Sequence, residues 1–310
     1  MMDSMTDLNA QKFPDVGMLQ VDLDDIWALR DCYGFDSNSP AQLHFMYTHT
    51  LPLLLDLLDE AAVHATFFVV GKDLEYEPNI ELLHDLIRRG HRVASHSWQH
   101  RLEWRNLDTQ TMHNDLAKTE QIMQDKLGVT PLGFRTPGYA FTGRTLEVLA
   151  DRNYRYDSSL MPSPWGWIFR YADSKMAART GIVKTQFPLF RDAFHSLRPR
   201  QPIHGQPLFE FPVATAPFTR LPLQIGVCMR LGMPWLKGHL RLMKSLALPY
   251  IMLMHLTDLC DFQALNHPFF LKQKFFARPA IEKQEFVRQA LWLLKQNYGN
   301  IEPLENRFTN

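Results

Sequence analysis

Short apolar runs alternate along the chain with stretches whose apolar residues recur every three or four positions. Met18–Leu23 reads as a buried strand that ends in acids, and Ala65–Val70 as a second one, stopped by Gly71. Arg92–Ala94, Gly133–Arg135, Phe209–Val213 and Tyr250–Met254 read as further short strands. Between them the period lengthens. Pro52–Ala62 carries Leu53, Leu54, Leu57 and Leu58 at helical spacing. Pro78 opens a helix that ends at Gly90, with proline near the start and glycine past the end. Asp108 and Thr109 can cap a helix that shows Met112, Leu116, Met123 and Leu127 and stops at Gly128. Thr142–Asn153 is another, and Glu282–Tyr298 turns Phe286, Ala290, Leu293 and Leu294 inward. Strands alternating with helices predict an α/β fold with a parallel sheet and crossover helices.

No repeat, low-complexity tract or strong linker divides the 310 residues, so one closed or nearly closed barrel domain over 1–310 is expected. The part that does not fit is an insertion over 161–208. It holds six prolines (162, 164, 188, 199, 202 and 207), which suggests an excursion covering the site as a lid or binding loop.

Composition narrows the classes. With 45% hydrophobic and 21% charged residues the chain can bury a large core. Lys+Arg and Asp+Glu are both 33, and this zero net charge disfavours a nucleic-acid partner. Cys32, Cys228 and Cys260 are scattered and form no C-x-x-C, which fits a reducing compartment. Met1–Asp7 has no basic segment leading into an apolar one, so a secretory signal is not expected. The most apolar stretch, Leu246–Leu256, contains Pro249 and His255 and falls short of the about 20 residues a membrane span needs. The expected location is cytoplasmic, with room for peripheral contact with the inner face of the plasma membrane.

Polar residues at strand C-terminal ends carry the chemistry in such barrels, and four clusters fall there. Asp22-Leu23-Asp24-Asp25 places three carboxylates after an apolar strand, which suits a cation or else a turn with a helix-capping Asp. His96-Ser97-Trp98-Gln99-His100 puts two imidazoles four residues apart, within reach of one ion if the segment is a helical turn. With 13 histidines in the chain, such a pair also arises readily by chance. Arg135-Thr136-Pro137-Gly138-Tyr139 offers an arginine for a bidentate pair with an Asp, and a tight turn whose backbone N–H can face an oxyanion. An ordinary turn with a surface arginine is the plainer alternative. Leu253-Met254-His255 ends an apolar strand with either a satisfied core histidine or a general acid.

In this order the clusters resemble the NodB-homology polysaccharide deacetylases (carbohydrate esterase family four), over roughly Leu19 to Leu256. The H-S-x-x-H, R-x-P-G-Y and L-x-H elements carry the resemblance as an ordered set. It implies a distorted (β/α)7 TIM-like barrel and metal-dependent hydrolysis of an N-acyl group, acetyl or formyl, from an amino sugar. It also implies His96 and His100 as metal ligands, Arg135 as the arginine that orients the catalytic carboxylate, and His255 as general acid. The Tyr139 backbone N–H would stabilise the oxyanion. The opening motif departs from the common T-F-D-D-G form. Read as D-x-D, it makes Asp22 the base and Asp24 the ligand, with Asp25 as back-up ligand; in the adjacent register Asp24 is the base and Asp25 the ligand. Asp157-Ser158-Ser159 and Trp165 match the region that lines the substrate site and supports the base. The implied cofactor is one divalent metal, Zn²⁺ first, with Co²⁺, Mn²⁺ and Ni²⁺ suiting the same ligands.

The substrate is expected to be an N-acylated amino sugar of an envelope precursor, carried on a polyprenyl phosphate. Phe211–Thr257 contains no Asp or Glu but has Arg220, Arg230, Lys237, Arg241 and Lys244. The insertion adds Arg170, Lys175, Arg179, Lys184, Arg191, Arg198 and Arg200 against Asp173 and Asp192. Arg230–Leu248 also carries Leu231, Met233, Trp235, Leu236, Leu240, Met243 and Leu246. A basic, apolar surface over 218–248 suits peripheral membrane contact or a phosphate-bearing lipid, or else is a barrel helix with solvated cations. The competing readings are a non-sugar amidase on the same barrel and a glycan-binding protein without activity.

Overall fold

Seven consecutive buried residues, Gly17–Leu23, form β1, a strand covered on both faces. The structure, a computed structural model, describes residues 16–33, 35, 44–166 and 189–308. Six further strands follow: β2 Thr66–Val69, β3 Arg92–Ser95, β4 Gly133–Phe134, β5 Tyr156–Asp157, β6 Phe209–Glu210 and β7 Tyr250–His255. They pair in the order β6-β5-β4-β3-β2-β1-β7, and every pair is parallel. The sheet curls into a half-barrel. Beyond β6, Ala214 N donates to Ile251 O of β7 at 3.2 Å and links the two edges without a ladder. The parallel barrel expected from the strand–helix alternation, in the (β/α)7 form that the resemblance implies, is the fold formed.

The described helices are α1 Ile26–Cys32, α2 Leu51–Ala61, α3 Glu77–Arg88, α4 Thr109–Leu127, α5 Gly143–Asp151, α6 Ile225–Leu231, α7 Met233–Ser245, α8 Phe262–Leu265, α9 Pro268–Leu271 and α10 Ala280–Tyr298. The caps on α4 are those the sequence announces. Asp108 accepts from Thr111 N at 2.7 Å, and Gly128 stops the helix at φ 67°. β5 and α1 lack a strong sequence signal: one is two residues long and the other only seven.

Side chains two apart on a strand share a face, and β1 shows what fills the barrel. Met18 joins an apolar cluster with Phe68, Ala94, Tyr156, Phe209, Phe211, Ile251 and Leu304. Below it, Glu305 accepts from Thr66 Oγ1 at 2.6 Å and from the Tyr156 hydroxyl, plugging the bottom. Gln20 and then Asp22 continue the inward row toward the strand ends. In register, Asp22 lies beside Phe68 of β2 and His255 of β7.

The apolar stripe of 230–248 is core in part: Leu231 and Leu246 are exposed, and Met233 and Trp235 are partly buried. Leu236, Leu240 and Met243 of α7 are buried in the main cluster, while Lys237 and Arg241 face solvent. Residues 167–188, with Arg170, Asp173, Lys175, Arg179, Lys184 and Pro188, lie outside the described part of the insertion.

Candidate metal and catalytic site

Asp24 sits one residue past the end of β1. Its Oδ1 is 3.4 Å from His96 Nε2 and 3.3 Å from His100 Nε2. One ligand atom from each of the three residues lies within 4.8 Å of the other two. His96 Nδ1 is 2.8 Å from the Arg135 carbonyl oxygen, so it carries the proton and leaves the Nε2 lone pair facing Asp24. Asp24 Oδ1 is buried without a hydrogen-bond partner. An orphaned carboxylate oxygen beside two imidazole nitrogens is a donor set that fits a divalent ion such as Zn²⁺.

Electrostatics in this cluster run through mutual charge. Burial raises the Asp24 carboxyl, but the neighbouring His100 and His96 imidazoles more than reverse it, leaving Asp24 well below the usual carboxylate range. Burial lowers His96, yet Asp22 and Asp24 outweigh it and its net shift is upward. At His100 burial prevails over Asp24, and the net shift is downward.

The two imidazoles do not share a helical turn. Residues 96–100 form a loop after β3, with Ser97 at φ 66° and His100 at φ 50°. Two non-glycine residues in the left-handed region turn the chain back on itself, and Ser97 Oγ accepts from His100 N at 3.0 Å to hold the bend. The spacing met the requirement by a different backbone path.

Asp25, expected as back-up ligand, lies outside the Asp24–His96–His100 set. It is buried and caps α1, accepting from Ile26 N at 2.7 Å and Met46 N at 3.2 Å, with His44 Nδ1 at 3.2 Å. This leaves the D-x-D register, with Asp22 and Asp24 facing the site.

Asp22 is buried at the end of β1. Arg135 Nη1 donates to its Oδ1 at 2.6 Å, and His255 Nε2 lies 3.4 Å from its Oδ2. The expected bidentate pair is thus a single contact. The rest of the guanidinium is engaged elsewhere: Nε donates to Ser158 O at 2.8 Å, and Nη2 to Ser158 Oγ at 3.0 Å and to Gln20 Oε1. His255 is held from behind, its N–H donating to Asp258 Oδ2 at 3.0 Å, and its ring is about a quarter exposed.

Other expected residues sit differently. Gly138 (φ 60°) and Tyr139 (φ 57°) make the tight turn, but the Tyr139 N–H points at Thr136 O, 3.4 Å away, closing that turn. The Tyr139 hydroxyl donates to Gln224 Oε1 at 3.1 Å. Asp157 does not line the opening. It is fully buried and accepts from Ser159 N and Oγ at 3.2 and 2.5 Å, and burial raises its carboxyl. Trp165 spends its indole N–H on Thr219 O at 2.8 Å. Ser158, expected in the region that supports the base, does so through Arg135; the residues not anticipated are Gln20, also on Arg135, and Asp73, which accepts from Trp27 Nε1 at 2.6 Å behind Asp25. Gln20 had a readable signal: a polar residue two before Asp22 in an otherwise apolar strand.

Residues 35–156 match the family model for polysaccharide deacetylases. Over this segment the chain is similar to the polysaccharide deacetylases. Among curated relatives it is 37% identical over 86 residues to chitin deacetylase 1 of Cryptococcus neoformans, covering 28% of this chain and 18% of that protein. It is 36% identical over 98 residues to the peptidoglycan-N-acetylglucosamine deacetylase PgdA of Listeria monocytogenes, covering 32% of this chain and 20% of that protein. The matches therefore span about a fifth of these relatives' length. A crystal structure from Mycobacterium smegmatis, provisionally assigned to the polysaccharide deacetylases, superposes with a TM-score of 0.61 at 20% identity. That match covers 94% of this chain and 87% of the other, and it shows the shared fold.

Proposed function

We propose that this chain hydrolyses the N-acyl group of an amino sugar. The observation that carries the reading is that Asp22 and His255 face each other beside the Asp24–His96–His100 set, all at the C-terminal ends of β1, β3 and β7. A bound divalent ion supplies Lewis acidity there, for the attacking water and the acyl oxygen. Arg135 occupies Asp22 Oδ1 and leaves Oδ2 toward His255 and the opening. Asp22 then takes the proton of the attacking water. His255 gives a proton to the amine nitrogen as its bond to the acyl carbon breaks; without that proton an amide leaving group is poor.

The finer reading is an envelope precursor carried on a polyprenyl phosphate at the cytoplasmic face of a membrane. It rests on the rim rather than on α7. Phe190, Phe194 and Phe218 are 59%, 77% and 80% exposed. Over residues 189–257 both carboxylates, Asp192 and Glu210, are buried, while Arg191 and Arg230 are exposed. Exposed aromatic tips with exposed cations suit an anionic lipid surface. No described helix is long and apolar enough to cross a membrane.

The test is acyl release from N-acetylated and N-formylated amino sugars, free, polymeric and polyprenyl-phosphate-linked, with Zn²⁺, Co²⁺, Mn²⁺ or Ni²⁺ supplied. Acetate or formate release by the native chain that Asp22→Asn abolishes supports the reading. No release from any of the three substrate forms, by metal-loaded protein, contradicts it.

A further inference from the structure

We infer that Gln20 is a positioning residue: with Ser158 it forms a neutral cradle that aims the Arg135 guanidinium at Asp22. The inference rests on the proposed hydrolytic role of Asp22. Gln20 is fully buried in the barrel interior, on the row between Met18 and Asp22. A buried amide in such a row is unfavourable unless hydrogen-bonded, and an aliphatic side chain of similar size would fill the space without that penalty. Its engagement is with Arg135.

The guanidinium is itself fully buried. Both Nη2 protons have acceptors, Ser158 Oγ and Gln20 Oε1, while Nε has Ser158 O. The flat face lies over the Phe68 ring, 4.2 Å from its centroid. These partners are neutral, so Asp22 is the carboxylate in direct contact with the cation among the described residues. Asp157, on the same strand end as Ser158, turns its carboxyl to Ser159 instead. A guanidinium is planar and rigid, so fixing Nε and Nη2 fixes where Nη1 points.

The orientation of the amide supports this. Gln20 Nε2 is buried and has no hydrogen-bond partner. Flipping the amide would set an NH2 donor against the Nη2 donor of Arg135. The amide therefore leaves its NH2 unsatisfied to present its oxygen to the arginine. The Ser158 hydroxyl completes the cradle, with its proton within reach of Phe211 O at 2.8 Å and Gln20 Oε1 at 2.9 Å.

The experiment uses Gln20→Met, which keeps length and volume and removes the acceptor. In the native background kcat for acyl release should fall about ten- to hundred-fold, as for a slightly misplaced catalytic group, with KM and metal content little changed. In an Arg135→Lys background, which has no Nη2, the same substitution should change kcat by less than about twofold. Equal losses in both backgrounds, or a change confined to KM, would overturn the inference. Ser158→Ala should show the same dependence on Arg135 and serves if Gln20→Met does not fold. A second arm does not need turnover. With 15N-labelled arginine, the Arg135 Nη protons should be resolved and slow to exchange in the native chain and averaged in the variant. Identical spectra overturn the cradle. A native chain that turns over no N-acyl sugar overturns the hydrolase reading alone, and the spectra still decide this one.

Discussion

Asp22 and Asp24 stand two residues apart, yet they serve different partners because β1 ends between them. Asp22 is still strand, so its side chain follows the inward row of Met18 and Gln20. Asp24 is beyond the last ladder pair, Leu23 with Val69, and turns toward the loop of His96 and His100. Asp25 takes the third direction and caps α1. Three tests separate these roles. Asp22→Asn should lower kcat by about a hundred-fold or more, the ordinary contribution of a general base, and leave metal stoichiometry intact. Asp24→Ala should abolish metal uptake in elemental analysis. Asp25→Ala should still take up metal and lose about 1 kcal/mol of unfolding free energy in denaturant titration, as helix caps do. A loss of metal in Asp25→Ala alone would reverse the register. The sequence held this information incompletely. An Asp before Ile26-Trp27-Ala28-Leu29 is a capping signal, but a helix of seven residues gives too little periodicity to claim it.

The loop that carries the two histidines is supported by α4. Asp115 of that helix accepts from Trp98 N at 2.7 Å, and burial pushes its carboxyl from 3.8 up to about 6. The folded chain therefore binds a proton at Asp115 that the unfolded chain has released between pH 3.8 and about 6. Its contribution to stability falls as pH rises through that window and is constant above it, with a total on the order of 3 kcal/mol. Asp115→Asn keeps an acceptor for Trp98. Its melting temperature minus that of the native chain should grow between pH 4 and 6 and then level off. A difference that does not change with pH would contradict the assigned burial. A strand-level counterpart is Gly133 in β4: a Cβ there would lie 1.8 Å from the Tyr156 ring, so Gly133→Ala should lower the melting temperature or prevent folding, and an unchanged melt would place Tyr156 elsewhere. At this scale the long helices and apolar strands were legible, because period and caps agree over many residues. β5 and the 96–100 loop were not: a two-residue strand has no period, and positive φ at Ser97 and His100 is a tertiary outcome that neither residue type announces.

Across the whole molecule, parallel register is what assembles the site. It brings the ends of β1, β3, β4, β5 and β7 to one rim, so residues from Gln20 to His255 meet although they are far apart in sequence. The order of the clusters was readable. Their convergence follows only once the sheet curls, and the contact of Ser158 with Arg135 shows only in what it touches. The amphipathic stripe of 231–248 shows a related limit of periodicity, which says that one face is apolar but not what covers it: α10 and β7 pack on α7, while Leu231 and Leu246 remain exposed. Membrane affinity, if carried by the rim, should then depend on Phe194 and Phe218. Flotation with anionic vesicles should retain the native chain and release a Phe194→Ser, Phe218→Ser variant, whereas equal retention would remove these residues from the account. The central claim is the three-residue metal set. Chelator-stripped protein should take up about one equivalent of Zn²⁺ or a similar divalent ion, measured by elemental analysis after dialysis. His96→Ala, treated in the same way, should take up none. Equal uptake by both, or none by the native chain, would contradict the site as described.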